Sequence, residues 1–190
     1  MENIAQIKMG IGNVAYQVFD KDGNAKPIFQ ENKLFRFLMK KGIVSPLAIK
    51  IPFLFGTWKK EKIVKNLVTN AGKAAQAGLC NGVGSVPAFT YIAVGTGINA
   101  ANVTDTTLQT ETVGSGLSRA AATTSLVTTT VANDTAQLLK QFSVLGNVAV
   151  TESGVLNAAS VGTLLCRQVF SAINVQNGDT LQIIWKVAMS

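Results

Sequence analysis

Hydrophobic and polar positions follow two different rhythms along these 190 residues. Between Ile11 and Phe29 the stretches VAYQVF and AKPIF flank DKDGN, the pattern of two short strands around an Asp/Gly turn. From Glu31 to Lys41, ENKLFRFLMKK places Leu34, Phe35, Leu38 and Met39 at helical spacing, and Gly42 ends the helix. GIVSPLAIKIPFLFGTWKKEK follows. Pro46 and Pro52 cannot donate a ladder hydrogen bond, so this segment reads as an extended arm with alternating apolar contacts rather than a central strand. Asn70 is positioned to cap an alanine-rich helix from Ala71 to about Cys80, closed by Asn81-Gly82.

After Pro87 the rhythm becomes strand-like. AFTYIAVG, SRAAATTSLVTTTV, TAQLLKQFSVLG, VAVTESGVL, TLLCRQVFSAINV and DTLQIIWKVAM are separated by segments rich in turn residues. QIIWKV and QVFSAINV alternate only in part, which predicts strands buried on both faces. Six to eight strands without long intervening helices predict a mainly β chain. The expected fold is an antiparallel β-sandwich, jelly-roll or immunoglobulin-like, over residues 71–190. A basic, partly extended N-terminal arm, residues 1–70, precedes it and contains a short hairpin and a helix.

Charge sharpens that division. Residues 1–70 hold twelve Lys/Arg against five Asp/Glu, whereas residues 71–190 hold five of each, so the whole excess of +7 lies in the first part. Charged residues make up only 14% of the chain, which suits a surface that rests against neighbours, and equally a plain Thr/Ala/Gly-rich β domain. Histidine is absent, which removes Ser-His-Asp and Cys-His catalysis and every His-based zinc site. Cys80 and Cys166 are too few for a disulfide scaffold and read as buried small hydrophobes in a reducing cytoplasm. No cofactor or metal is expected. The N-terminus lacks the apolar core of a signal peptide, and the run from Gly42 to Gly56, broken by Pro46, Lys50 and Pro52, is too short to span a bilayer.

The remaining motifs are weak as chemistry. Gly95-Thr96-Gly97 has no amphipathic helix behind it, so it reads as a strand-exit turn and not a phosphate loop. Asp105, Glu111, Asp134, Glu152 and Asp179 are dispersed. Asp134 and Asp179 sit in NDT and NGDT turns, and Glu152 is expected to pair with Arg119 or Arg167 rather than act in catalysis. Phe53-Leu54-Phe55-Gly56-Thr57-Trp58-Lys59-Lys60 interleaves aromatics with cations, a pattern shared by single-strand nucleic-acid grooves and by docking arms. Docking is the preferred reading. Its expected contacts are Phe35, Phe53, Phe55, Trp58, Lys59 and Lys60.

Five pieces of the chain from Lys65 onward share one further property. Lys65–Gly72 (KNLVTNAG), Phe89–Gly97 (FTYIAVGTG) with Asp105-Thr106-Thr107-Leu108, Thr151–Asn157 (TESGVLN), Cys166–Phe170 (CRQVF) and Gly178–Ile183 (GDTLQI) resemble, in order, a family of tailed-bacteriophage virion structural proteins. Ser153 and Leu156 depart from that pattern. The resemblance covers about residues 65–188 and implies a non-enzymatic virion protein assembled in the host cytoplasm. A capsid decoration (cement) or head-associated role is expected, docked through the arm on the major capsid protein or on neck or tail proteins. A homo-oligomer, taken as a trimer, is expected, with neither nucleic acid nor membrane as partner. The rivals are a tail-tip or fibre-base adaptor, a nucleic-acid-binding module that uses the basic arm, and a virion hydrolase of cell-wall sugars.

Overall fold

The computed structural model describes residues 12–48 and 50–189. The first eleven residues of the expected arm, including the start of its hairpin at Ile11, lie outside them, as do Ile49 and Ser190. The strands are β1 (Asn13–Phe19), β2 (Ala25–Lys26), β3 (Ile28–Glu31), β4 (Gly56–Lys59), β5 (Lys62–Lys65), β6 (Leu67–Val68) and β7 (Tyr91–Gly95). Next come β8 (Ala120–Ala121), β9 (Thr123–Val127), β10 (Thr135–Ser143), β11 (Val148–Leu156), β12 (Leu164–Val175) and β13 (Thr180–Ala188). Two helices, α1 (Lys33–Lys40) and α2 (Asn70–Asn81), complete the elements needed below.

Alternation builds the sandwich. Val14, Tyr16 and Val18 of β1, Leu181, Ile183, Trp185 and Val187 of β13, and Leu138 and Phe142 of β10 all point inward at period two. Their strands form an antiparallel sheet in the order β2-β1-β13-β10-β9, with β5 also against β1. A second antiparallel sheet, β6-β12-β11-β7-β8, supplies Ile92, Val94, Val150, Val155, Phe170 and Ile173 to the same core. The Tyr16 hydroxyl lies 2.7 Å from the Ser153 hydroxyl of the opposite sheet, and its ring packs on Phe170. Burial pushes the Tyr16 phenol well above its ordinary pKa, so it stays neutral and bonded. β3 and β4 form a separate two-stranded sheet.

The mainly β, antiparallel sandwich expected from the sequence is the observed fold, and the hairpin and both helices are present. β12 is buried along both faces as its pattern implied, but β13 is not: Lys186 is exposed and only one face enters the core. The cap of α2 is Thr69 rather than Asn70. The Thr69 hydroxyl accepts from the Gly72 N–H and donates to the Leu164 carbonyl, so one side chain both starts the helix and ties it to β12. At the β9–β10 turn, Asp134 accepts the N–H groups of Val131, Thr129 and Thr130, which hold its carboxyl well below the usual range.

The boundary at residues 70/71 does not divide the molecule. β1 lies between β13 on one side and β2 and β5 on the other, in unbroken register from Val14–Trp185 to Phe19–Thr180. The Pro-containing segment is not a free arm either: Pro46 is buried, and its carbonyl accepts the Ala172 N–H of β12, while Lys50 donates to the Ala172 carbonyl. Prolines rule out a central strand, but they leave carbonyls free to accept from a neighbouring one.

Candidate assembly surface

α1 begins at Asn32, whose side chain accepts from the Phe35 N–H, and it ends at Lys41. Its inward residue is Phe35, which is fully buried against Phe29 and Phe55, with ring centroids 6.2 and 5.1 Å away. Trp58 lays an edge on Phe29 at 5.5 Å. These four rings form a local core that positions what stands outside it. Leu34, Phe37, Ile43, Leu47, Ile51 and Leu54 are all exposed around it.

Phe53 is the extreme case. It is 96% exposed and sits at φ +65°, in the left-handed region where a bulky L-residue is rare and strained by about 1–3 kcal/mol. The turn that holds it is fixed by hydrogen bonds from the Phe53 N–H to the Gly56 carbonyl and from the Phe55 N–H to the Ile51 carbonyl. The Asn32 amide further binds the Leu54 carbonyl. An aromatic ring is therefore held in water on a strained, well-anchored loop tip. Trp58, half exposed, and the exposed Lys59 stand on β4, which follows, and the exposed Lys60 comes directly after it. A groove of about 430 Å³ lies against α1, with Met39, Val64 and Leu67 in its wall and Arg36, Lys40 and Lys65 among its lining residues. The surface is apolar with a cationic margin.

Of the six contact residues expected from the sequence, Phe53, Trp58, Lys59 and Lys60 are exposed. Phe35 is not. It is interior because helical periodicity shows only which residues share a face, and the face of α1 that carries Phe35 turns onto Phe29. Phe55 is half-buried against Phe35 and supports the loop more than it presents a ring.

A buried ion pair beneath the surface has no signal in composition. Lys62 is fully enclosed; its ammonium lies 2.8 Å from Glu31 Oε1 and donates to the Phe29 and Ser171 carbonyls and to Ser171 Oγ. Glu31 Oε1 also accepts the Ser171 N–H. One lysine thus clamps β3 and β5 to β12. The only hint is the alternation of Lys62 with Val64, which puts a lysine on the inward face. A Ser–Lys contact with a depressed lysine pKa resembles a nucleophile pair, but both residues are closed to solvent and no substrate can reach them.

Burial lowers Lys62 to about 8 from 10.5, against the opposing pull of Glu31, with Lys50 and Arg36 adding to the depression. Between those pH values the unfolded chain holds a proton that the folded chain has released, so stability rises with pH across that window. Relative to Lys62→Met, the unfolding free energy of the wild type in urea is expected to increase from pH 8 towards 10.5, by at most about 1.4 kcal/mol per pH unit. Parallel pH profiles would contradict the assignment.

The carboxylates singled out in the sequence are each tied down. Glu111 pairs with Arg119, Asp179 pairs with Lys26 and accepts the Gln176 N–H, and Asp105 pairs with Arg167. Glu152 pairs with Arg167, one of the two partners expected for it. Its Oε1 accepts the Gly97 and Thr110 N–H groups and its Oε2 accepts the Gln109 N–H and Arg167 Nε. A Cβ on Gly95 or Gly97 would come within 2.5 and 2.4 Å of Glu152 Oε1, so both glycines mark close approach to this carboxylate. The GTG, DTTL, TESG and RQVF stretches therefore meet at one buried node that fixes the 96–110 loop. Cys166 is buried as expected, and burial raises its thiol pKa, whereas Cys80 is exposed at the outer end of α2 and is not a core residue.

No family model, curated protein or solved structure matches the chain.

Proposed function

We propose that this chain is a non-enzymatic structural protein of a tailed-phage virion, a capsid decoration or head-associated protein. It docks on neighbouring virion proteins through the apolar, lysine-flanked surface around Phe53 and Trp58. The observation that carries the reading is Phe53 itself, an aromatic ring held in solvent on a strained and anchored tip. Strain of that kind persists where the exposed conformation is used, and large aromatics are favoured anchors at protein interfaces. Lys59 and Lys60 call for a partner with an acidic margin around an apolar recess. The virion setting is supported by the resemblance over residues 65–188. The enclosure of Lys62 and Ser171 and the pairing of Asp105, Glu111, Glu152 and Asp179 support a mechanical role.

The test is the protein content of density-gradient-purified particles from the host that produces the chain. A capsid decoration is expected at hundreds of copies per particle, a tail-tip or fibre-base adaptor at tens or fewer. Absence from the particles overturns the proposal.

A further inference from the structure

Exposed sheet edges invite pairing with another chain, and proteins normally blunt them with charge, proline or brevity. Most open edges of this sandwich are treated in that way. β2 is two residues long and carries Lys26; β5 carries Lys65, and its Ile63 N–H is taken by the Gln30 side chain. β6 and β8, at the two ends of the second sheet, are two residues each. β9 differs on every count. Among the described residues it ends the first sheet, pairs only with β10, and keeps five residues in unbroken register with it. Thr123, Thr124, Ser125 and Leu126 are exposed, Leu126 by 63%. No charged residue or proline occurs anywhere from Ala120 to Asn133.

We infer that β9 is a self-association edge, which pairs antiparallel with β9 of a second copy of this chain about a two-fold axis at Ser125. Centring the axis on Ser125 uses the whole strand. Thr123 then faces Val127 of the other copy, Thr124 faces Leu126, and Ser125 faces itself. β-branched and hydroxyl residues are favourable cross-strand neighbours, and no like charges meet. The edges at β2 and β5 would bring lysines of the two copies together near the axis, so charge favours β9 for self-pairing. The strand carries nothing that would attract a charged foreign segment. An isologous contact of this kind closes on itself, joining two six-stranded sheets into one and making a dimer the unit, in place of the trimer expected from the sequence. This inference concerns a different surface from the Phe53 face and stands independently of it.

Sedimentation equilibrium of the full chain at tens of micromolar tests it. The wild type is expected at twice the mass of the chain. Thr124→Lys with Leu126→Lys, which sets lysine against lysine across the axis, is expected at the mass of the chain with an unchanged circular dichroism spectrum. Should that variant misfold, Ser125→Cys in a Cys80→Ser background reads the same contact without added charge: mild oxidation is expected to give a covalent dimer linked at residue 125. A monomeric wild type, association that survives the lysines in a folded variant, or failure of the residue-125 cross-link each overturns the inference.

Discussion

Deleting residues 1–64 is expected to leave a chain without a cooperative melting transition. The deletion removes Val14, Tyr16, Val18, Ile28, Phe29, Phe35 and Val64, all buried. Each large side chain buried on folding contributes about 1.5–3 kcal/mol, so the seven together amount to roughly 10–20 kcal/mol, against a net stability of about 5–15 kcal/mol for a whole domain. The loss is structural as well as apolar. Trp185 and Ile183 of β13 would lose the strand that covers their edge, and Ser171 would lose Glu31 and Lys62. Thermal unfolding followed by circular dichroism decides the matter. A sharp transition in the truncated protein would mean that residues 65–190 close a core alone.

Glu152→Ala is expected to destabilise the protein by about 3–5 kcal/mol, the range for breaking a buried ion pair. For a domain of this size the melting temperature would fall by about 6–20 °C. Arg167 is itself buried, and without Glu152 it keeps Asp105 and the Asn99 carbonyl as partners. The Gly97, Gln109 and Thr110 N–H groups lose their acceptor at the same time. Glu152→Gln should rescue little, because every group around both oxygens is a donor and an amide NH₂ would face N–H groups. Arg167→Ala combined with Glu152→Ala should cost less than the sum of the single changes, because each single change strands the other partner. Hydrogen exchange is expected to quicken first in the 97–110 loop. A melting temperature within a degree of wild type for Glu152→Ala would contradict the role of the node.

The sandwich was legible because its signal is periodic. Alternation in VAYQVF, with turn residues between strands, reports one buried face per strand, whereas the partial alternation of QIIWKV pointed to two buried faces where β13 has one. The strand-like run around Glu152 likewise reported that it seeks an arginine, since a carboxylate inside an apolar strand needs a partner. What could not be read is where the N-terminal third sits. Lysines at 26, 50 and 62 count in composition as solvated charge, yet Lys26 pairs with Asp179, Lys50 binds the Ala172 carbonyl and Lys62 is enclosed. Their partners lie more than a hundred residues away or on the inward side of a strand, and net charge carries no trace of such pairing. Phe35 and Phe53 look alike in sequence, both aromatic residues within a few positions of a cation. One is core and the other is solvent-facing because a four-residue turn holds Phe53 in a left-handed conformation that no composition records.

Attachment to particles by folded surface variants tests the central claim most directly. Phe53→Ser changes a ring that stands outside the core, and Lys59→Glu with Lys60→Glu changes only exposed charge. Each variant should melt within a few degrees of the wild type. In co-sedimentation with particles stripped of this protein, the aromatic variant is expected to lose attachment at every salt concentration. The charge variant should lose it chiefly at low salt, because screening removes only the electrostatic part. Full attachment by a folded aromatic variant would contradict the account and place the binding site elsewhere on the molecule.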